Sequence, residues 1–148
     1  MKKERSKNRG SAIIPYHHGI ILIQRRKGDK DHKEEYYTIP GGGQEEGETI
    51  QEATIREVRE ELGIEIILTD TCYKIVSQGR KQYFFVAKYK SGKIGTGIGK
   101  EMTNTDYEKY GAYLPRIVPK EKLKDIRLLP TEIKDIIVTN INKIVGEK

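Results

Sequence analysis

The chain reads as an α/β protein, and three kinds of stretch carry that reading. Short runs rich in β-branched and aromatic residues, such as Gly19–Arg25 and Arg80–Lys90, are bounded by turn residues and have the composition of strands. Among them lies one segment, Thr49–Leu62, with the capping and periodicity of a helix. A second helical period starts near Pro130-Thr131. The 148 residues are the size of one domain and are enough to bury a core. Residues 11–148 are expected to form that domain, and Met1–Gly10, basic and almost without apolar side chains, is expected to be a mobile tail.

Taken in order, Ser11–Tyr16 and Gly19–Arg25 read as two strands joined by a turn at His17-His18-Gly19. Adjacent histidines on extended backbone point apart, and the chain has no other histidine but His32, so a solvated turn is favoured over a metal site. Arg25 and Arg26 close the second strand before a polar loop, Lys27–Glu35, and alternation lets only one of them face a site on a given side. Tyr36–Ile39 then forms a short strand leading to Pro40 and to Gly41, Gly42 and Gly43. Three glycines allow a turn through positive φ and a close approach to a ligand, with no Cβ in the way.

Thr49 with Glu52 is a capping-box pair, so a helix starts there and runs to Leu62, with Gly63 as its stop. At 3.6 residues per turn, Ile55, Val58 and Leu62 form the buried stripe, and Glu57, Glu60 and Glu61 are expected on roughly the opposite side. Arg56 is one turn from both Glu52 and Glu60 and can pair with a carboxylate. Ile64–Ser77 and Arg80–Lys90 are expected to pair as an antiparallel hairpin about Gln78-Gly79. Tyr83, Phe84 or Phe85 could stack a base, although aromatic residues on such a strand more often fill the core. Ser91–Tyr110 is glycine-rich and aperiodic and reads as a long loop without phosphate-loop spacing. Tyr113–Val118 reads as a strand, Pro119–Lys124 as a helical turn. Ile133, Ile136, Ile137, Ile141, Ile144 and Val145 give the last helix an apolar face.

Composition excludes several classes. Charged residues make up 34% and apolar ones 35%, a globular balance, and the single cysteine, Cys72, rules out a disulfide within the chain. No apolar run is long enough to span a membrane, and no signal-peptide core follows the first lysines, so a cytoplasmic location is the expectation. The net charge of +6 coexists with an acidic helix, which suits attraction of a polyphosphate carried on metal ions. RNA would be attracted too, but no aromatic-rich basic motif supports nucleic acid as the main partner.

The glutamates on the helix carry the chemistry. Carboxylates at i, i+3 and i+4 repel one another unless a cation lies among them, and hard divalent ions with oxygen ligands suit such a cluster. The full pattern is Gly42, five residues, Glu48, seven residues, Arg56-Glu57-Val58, one residue, Glu60-Glu61, one residue, Gly63-Ile64. This resembles the Nudix box at all nine of its positions, with Pro40-Gly41 ahead of it, as is common in that family. A solvated acidic helix face is the commonplace alternative, but it explains neither the two glycines nor the arginine in register.

The resemblance implies an α/β/α sandwich with a mixed β-sheet, which the order of elements fits. It implies a hydrolase that cleaves nucleoside diphosphates linked to a further group, with Glu57, Glu60 and Glu61 holding Mg²⁺, or Mn²⁺ in its place, and with the Gly41 carbonyl as an added ligand. Glu48 and Arg56 would support the acidic groups. Arg25 or Arg26 would face substrate phosphates beside Gly41, Gly42 and Gly43. A loop carboxylate, Glu101 ahead of Asp106 and Glu108, would complete the site or act as base, in competition with Glu60. The expected partner is a small nucleotide, with a nucleoside triphosphate weakly preferred and a homodimer possible. A non-catalytic nucleotide-binding regulatory module, or a hydrolase of RNA 5′ ends, is the alternative.

Overall fold

The computed structural model describes residues 8–27, 34–77, 79–95 and 112–146. Its centre is a strand apolar on both faces. In β3 (Gly19–Lys27), Ile20, Leu22, Ile21 and Ile23 are all fully buried, yet successive side chains point to opposite sides. Ile20 and Leu22 join one core cluster and Ile21 and Ile23 join another. The unbroken apolar run therefore marks a strand with a core on each side.

Two sheets form. In the first, β1 (Arg9–Ile13) lies between β5 (Gly41–Gly43) and β7 (Arg80–Gly92), antiparallel to β5 and parallel to β7, and β6 (Ile64–Ser77) pairs with the far side of β7. The second runs β2 (Pro15–Tyr16), β3, β4 (Glu34–Thr38), β9 (Leu128–Leu129), with β8 (Ala112–Pro119) also paired to β3. Parallel pairs β1–β7 and β4–β9 among antiparallel neighbours make the sheets mixed.

Helix α1 (Ile50–Leu62) covers one side of this assembly through Val58 and Leu62, which meet Ala12, Ile14, Ile21 and Ile23. Helices α2 (Thr131–Thr139) and α3 (Ile141–Val145) cover the other through Ile133, Ile137 and Ile144, which pack with Ile13, Phe84 and Leu128. The layered α/β arrangement anticipated from the sequence is the one observed.

Local differences have physical reasons. The expected first strand, Ser11–Tyr16, starts two residues earlier at Arg9 and divides into β1 and β2, which belong to different sheets. Asn8, whose carbonyl accepts from the Gln44 N–H at 2.8 Å, Arg9 and Gly10 are thus part of the domain, and the rest of the expected tail, residues 1–7, lies outside the described residues. His17 and His18 are exposed turn residues at φ 51° and 63°. The final helix breaks at Asn140, whose side-chain amide donates to the Ile136 carbonyl. The hairpin of β6 and β7 forms as expected, with Ser77 opposite Arg80.

Candidate active site

The glycine stretch is a strand rather than the turn expected of it: Gly41, Gly42 and Gly43 pair with Ser11, Gly10 and Arg9, and of the three Gly41 has the expected positive φ, 158°. What the missing side chains provide is closeness. A Cβ on Gly42 would overlap the Glu57 carboxyl group. The strand and α1 are consequently packed so that carboxylates of the helix reach over the glycine backbone. The Gly41 N–H donates to Glu61 Oε1 at 3.0 Å, a buried bond that fixes one of them.

This placement corrects the helix face drawn above. Glu61 is 8% exposed and buried beside Leu62, and Ile55 is only partly buried. Residues three apart on a helix are separated by only about 60° around its axis, so Glu61 follows Val58 toward the interior. Glu57 is half-buried. Loss of water around it, with Glu60 adding to the effect, pushes its carboxyl group above the usual carboxylate range despite the Arg56 charge beside it.

Arg56 is the hub of the acidic groups. Its Nε donates to Glu48 Oε2 at 2.6 Å and Nη2 to Glu48 Oε1 at 3.2 Å, a forked pair. Nη1 donates to Glu57 and Glu60, each at 3.2 Å, and Nη2 also donates to the Gly43 carbonyl at 3.1 Å. Glu52, the other partner within one turn, is held by the N-cap, where it accepts from the Thr49 N–H at 2.9 Å. The Glu48 contact above all holds the guanidinium well above its ordinary proton affinity, so Arg56 is a fixed charge.

A cleft of about 580 Å³ opens above these groups. Its floor is Gly41, Gly42 and Gly43 with Glu57 and Glu61; Glu60, expected alongside them, does not line it. One wall comes from the second sheet and carries Arg25, Tyr36, Thr38 and Tyr113, continued by Leu129 and Pro130. The other comes from the first sheet and carries Arg9, Ser11, Arg80, Gln82 and Phe84.

Strand alternation decides between the two arginines at the end of β3. Arg25 faces the cleft, while Arg26 turns away and pairs with Glu35 at 3.0 Å. Arg25 stands opposite Tyr36 on one neighbouring strand and Tyr113 on the other, with its guanidinium 3.9 Å from the Tyr113 ring centre and 5.8 Å from that of Tyr36. Its buried Nε has no hydrogen-bond partner among the described residues. Of the three neighbouring aromatics on β7, Phe84 lines the first-sheet wall but is 1% exposed and part of the core, Phe85 is also buried, and Tyr83 stacks with Phe85 at 6.5 Å. Glu101, Asp106 and Glu108 lie outside the described residues.

Residues 7–125 match the NUDIX domain. The chain belongs to the Nudix hydrolase family. Over 113 residues it is 33% identical to an uncharacterized Nudix hydrolase of Listeria monocytogenes, covering 74% of this chain and 61% of that protein. Over 77 residues it is 35% identical to the nucleoside triphosphatase NudI of Escherichia coli, covering 46% of this chain and 55% of that one. The chain thus spans less than two thirds of the length of these curated relatives. Among solved structures, a Nudix hydrolase of Nitrosomonas europaea shares the fold at TM-score 0.69 and 16% identity, over 99% of this chain and 76% of that one. A Nudix-family hydrolase of Clostridium perfringens does so at TM-score 0.65 and 18% identity, over 97% and 98%.

Nudix hydrolases act on small nucleotide substrates and generally use divalent metal ions. The donors here suit such an ion: Glu57 and Glu61 present hard carboxylate oxygens to one cleft, and the dehydrated Glu57 gains from a nearby cation. Among the described residues no three histidine, cysteine or acidic side chains are grouped as a ready cage. No described helix is long and apolar enough to cross a membrane.

Proposed function

We propose that the chain hydrolyses a phosphoanhydride bond in a nucleoside diphosphate linked to a further moiety, with Mg²⁺, or Mn²⁺ in its place. The observation that carries this reading is the pair of carboxylates, Glu57 and Glu61, on the floor of a cleft whose opposite wall presents Arg25 with the rings of Tyr36 and Tyr113. A nucleoside triphosphate is the preferred substrate, in line with the name of the NudI relative.

In this reading Glu57 and Glu61, with Glu60 and the Gly41 carbonyl, would hold the ion, which when bound neutralises phosphate charge and polarises phosphorus. Arg56 keeps Glu57 and Glu60 in their rotamers through direct hydrogen bonds, and Glu48 locks Arg56. Arg25, stacked on Tyr113 and with an unsatisfied Nε, binds an oxygen of the nucleotide. Tyr36, Leu129 and Pro130 give the nucleoside an aromatic and apolar surface to lie on. A water attacks phosphorus in line and passes its proton to a carboxylate, Glu60 or Glu101.

The test is turnover of a panel of nucleoside triphosphates, nucleotide sugars and dinucleoside polyphosphates with Mg²⁺, products separated, with Glu60→Gln as control. Cleavage that fails in the variant or in chelator supports the hydrolase, and the product pair names the substrate and the phosphorus attacked. Nucleotide binding without turnover of any compound would instead favour a regulatory module on the same fold.

A further inference from the structure

Two arginines on the cleft wall have no part in the reading above. Arg9 opens β1 beside Gly43, and Gln82 is its partner on β7. Arg80 precedes Gln82 by two residues and so lies on the same face of that strand. All three line the cleft. Arg9 and Arg80 are each partly buried, and neither side chain makes a hydrogen bond or ion pair among the described residues. Arg9 nevertheless sits near enough to Glu57 to favour its ionised form.

A partly buried guanidinium with no hydrogen-bond acceptor carries a cost, which the Glu57 charge near Arg9 lessens, and like charges on one wall repel each other. An anion between them removes both penalties. Arg25 already serves the opposite wall, where Tyr36, Tyr113, Leu129 and Pro130 suit a nucleoside. The carboxylates lie on the floor between the walls. A substrate laid across the floor with its base on the aromatic side directs whatever lies beyond its diphosphate toward Arg9 and Arg80.

We propose that Arg9, Arg80 and Gln82 form an anion subsite for the part of the substrate beyond the diphosphate, so that a further phosphate there is selected over an uncharged sugar. This rests on the hydrolase reading for its place in the reaction, but the subsite itself requires no turnover. Gln82 supplies a neutral donor between two fixed charges.

The experiment has two arms. In the first, binding of inorganic tripolyphosphate to the metal-free protein is measured by calorimetry for wild type, Arg9→Gln/Arg80→Gln and Arg9→Lys/Arg80→Lys, with melting curves to confirm folding. The glutamine pair is expected to bind about 10- to 100-fold more weakly and with a shallower salt dependence, and the lysine pair to recover part of the loss. Unchanged affinity in the glutamine pair overturns the subsite. In the second arm, kcat/KM is compared for UTP and UDP-glucose, which share base and diphosphate. The glutamine pair is expected to lose about 10-fold or more on UTP and to change by less than about 3-fold on UDP-glucose. Equal losses on both, or a wild type that prefers UDP-glucose, overturn the proposal. A wild type that turns over neither compound nor any other nucleotide defeats the hydrolase reading, while calorimetry still decides the subsite.

Discussion

At the scale of single residues, the site depends on a charge held by other charges. Arg56 is 21% exposed and bonded to three carboxylates and a backbone carbonyl, so its removal leaves Glu48, Glu57 and Glu60 facing one another without a cation. Arg56→Ala is expected to cost about 1–3 kcal/mol in urea unfolding, and Arg56→Lys to recover little of it, since an ammonium cannot reproduce the fork to Glu48. A lysine variant as stable as wild type would contradict the forked contact.

Glu57 gives a pH test whose sign follows from its raised proton affinity. A carboxyl group that binds its proton more tightly folded than unfolded stabilises the fold at low pH and loses that contribution as pH climbs through the folded value. In chelator at neutral pH, Glu57→Gln should therefore melt at or above wild type, and the gap should close as pH falls toward the carboxylate range. Added Mg²⁺ should reverse the order, because only wild type gains binding free energy from the ion. A variant that melts below wild type in chelator across the whole range would contradict the dehydration of Glu57. Residue types and spacing in the box were readable in the sequence, but the burial of Glu61 was not. A helical wheel places Glu61 only relative to the helix, and its partner, the Gly41 N–H, comes from another strand.

At the scale of elements, α1 is bounded by local chemistry alone. Thr49 Oγ1 accepts from the Glu52 N–H at 3.0 Å, Glu52 returns the bond, and Gly63 closes the helix in the left-handed conformation. Such devices are read from sequence because they involve only residues three or four apart. Thr49→Ala should cost about 1 kcal/mol in unfolding free energy and leave the metal requirement of turnover unchanged. A larger effect on activity than on stability would mean that the cap does more than hold the helix.

The glycine strand is the opposite case. Its sequence suggested a turn, and only the neighbours β1 and α1 make it a strand with a carboxylate over it. Gly42→Ala should force the Glu57 carboxyl away. It is expected to lower stability by about 1–3 kcal/mol and activity by considerably more, as checked by unfolding and by turnover of the same preparation.

At the scale of the whole molecule, the cleft is a product of topology. Its floor comes from the box and from Gly41 just ahead of it, which is why the sequence displayed it. Its walls bring Arg9 and Arg80 from one sheet toward Arg25 and Tyr113 from the other, over separations along the chain that no periodicity records. Of the wall residues, the sequence pointed to Phe84 as one of three possible stacking rings and, through the family resemblance, to Arg25 or Arg26 at a strand end. Arg9 was assigned to the tail, and Arg80 carried no signal beyond its charge. The fold class was readable because β3, the capped helix and the β6–β7 hairpin each declare themselves locally.

The most direct test of the central claim is Mg²⁺-dependent hydrolysis by wild type, Glu57→Gln, Glu61→Gln and Glu46→Gln, measured on the compound that wild type turns over best. Glu46 is exposed and outside the cleft, and serves as the control. Glu57→Gln and Glu61→Gln are expected to lose about 100-fold or more in kcat, with Glu46→Gln close to wild type. Turnover that survives in both cleft variants would contradict the assignment of the reaction to this floor.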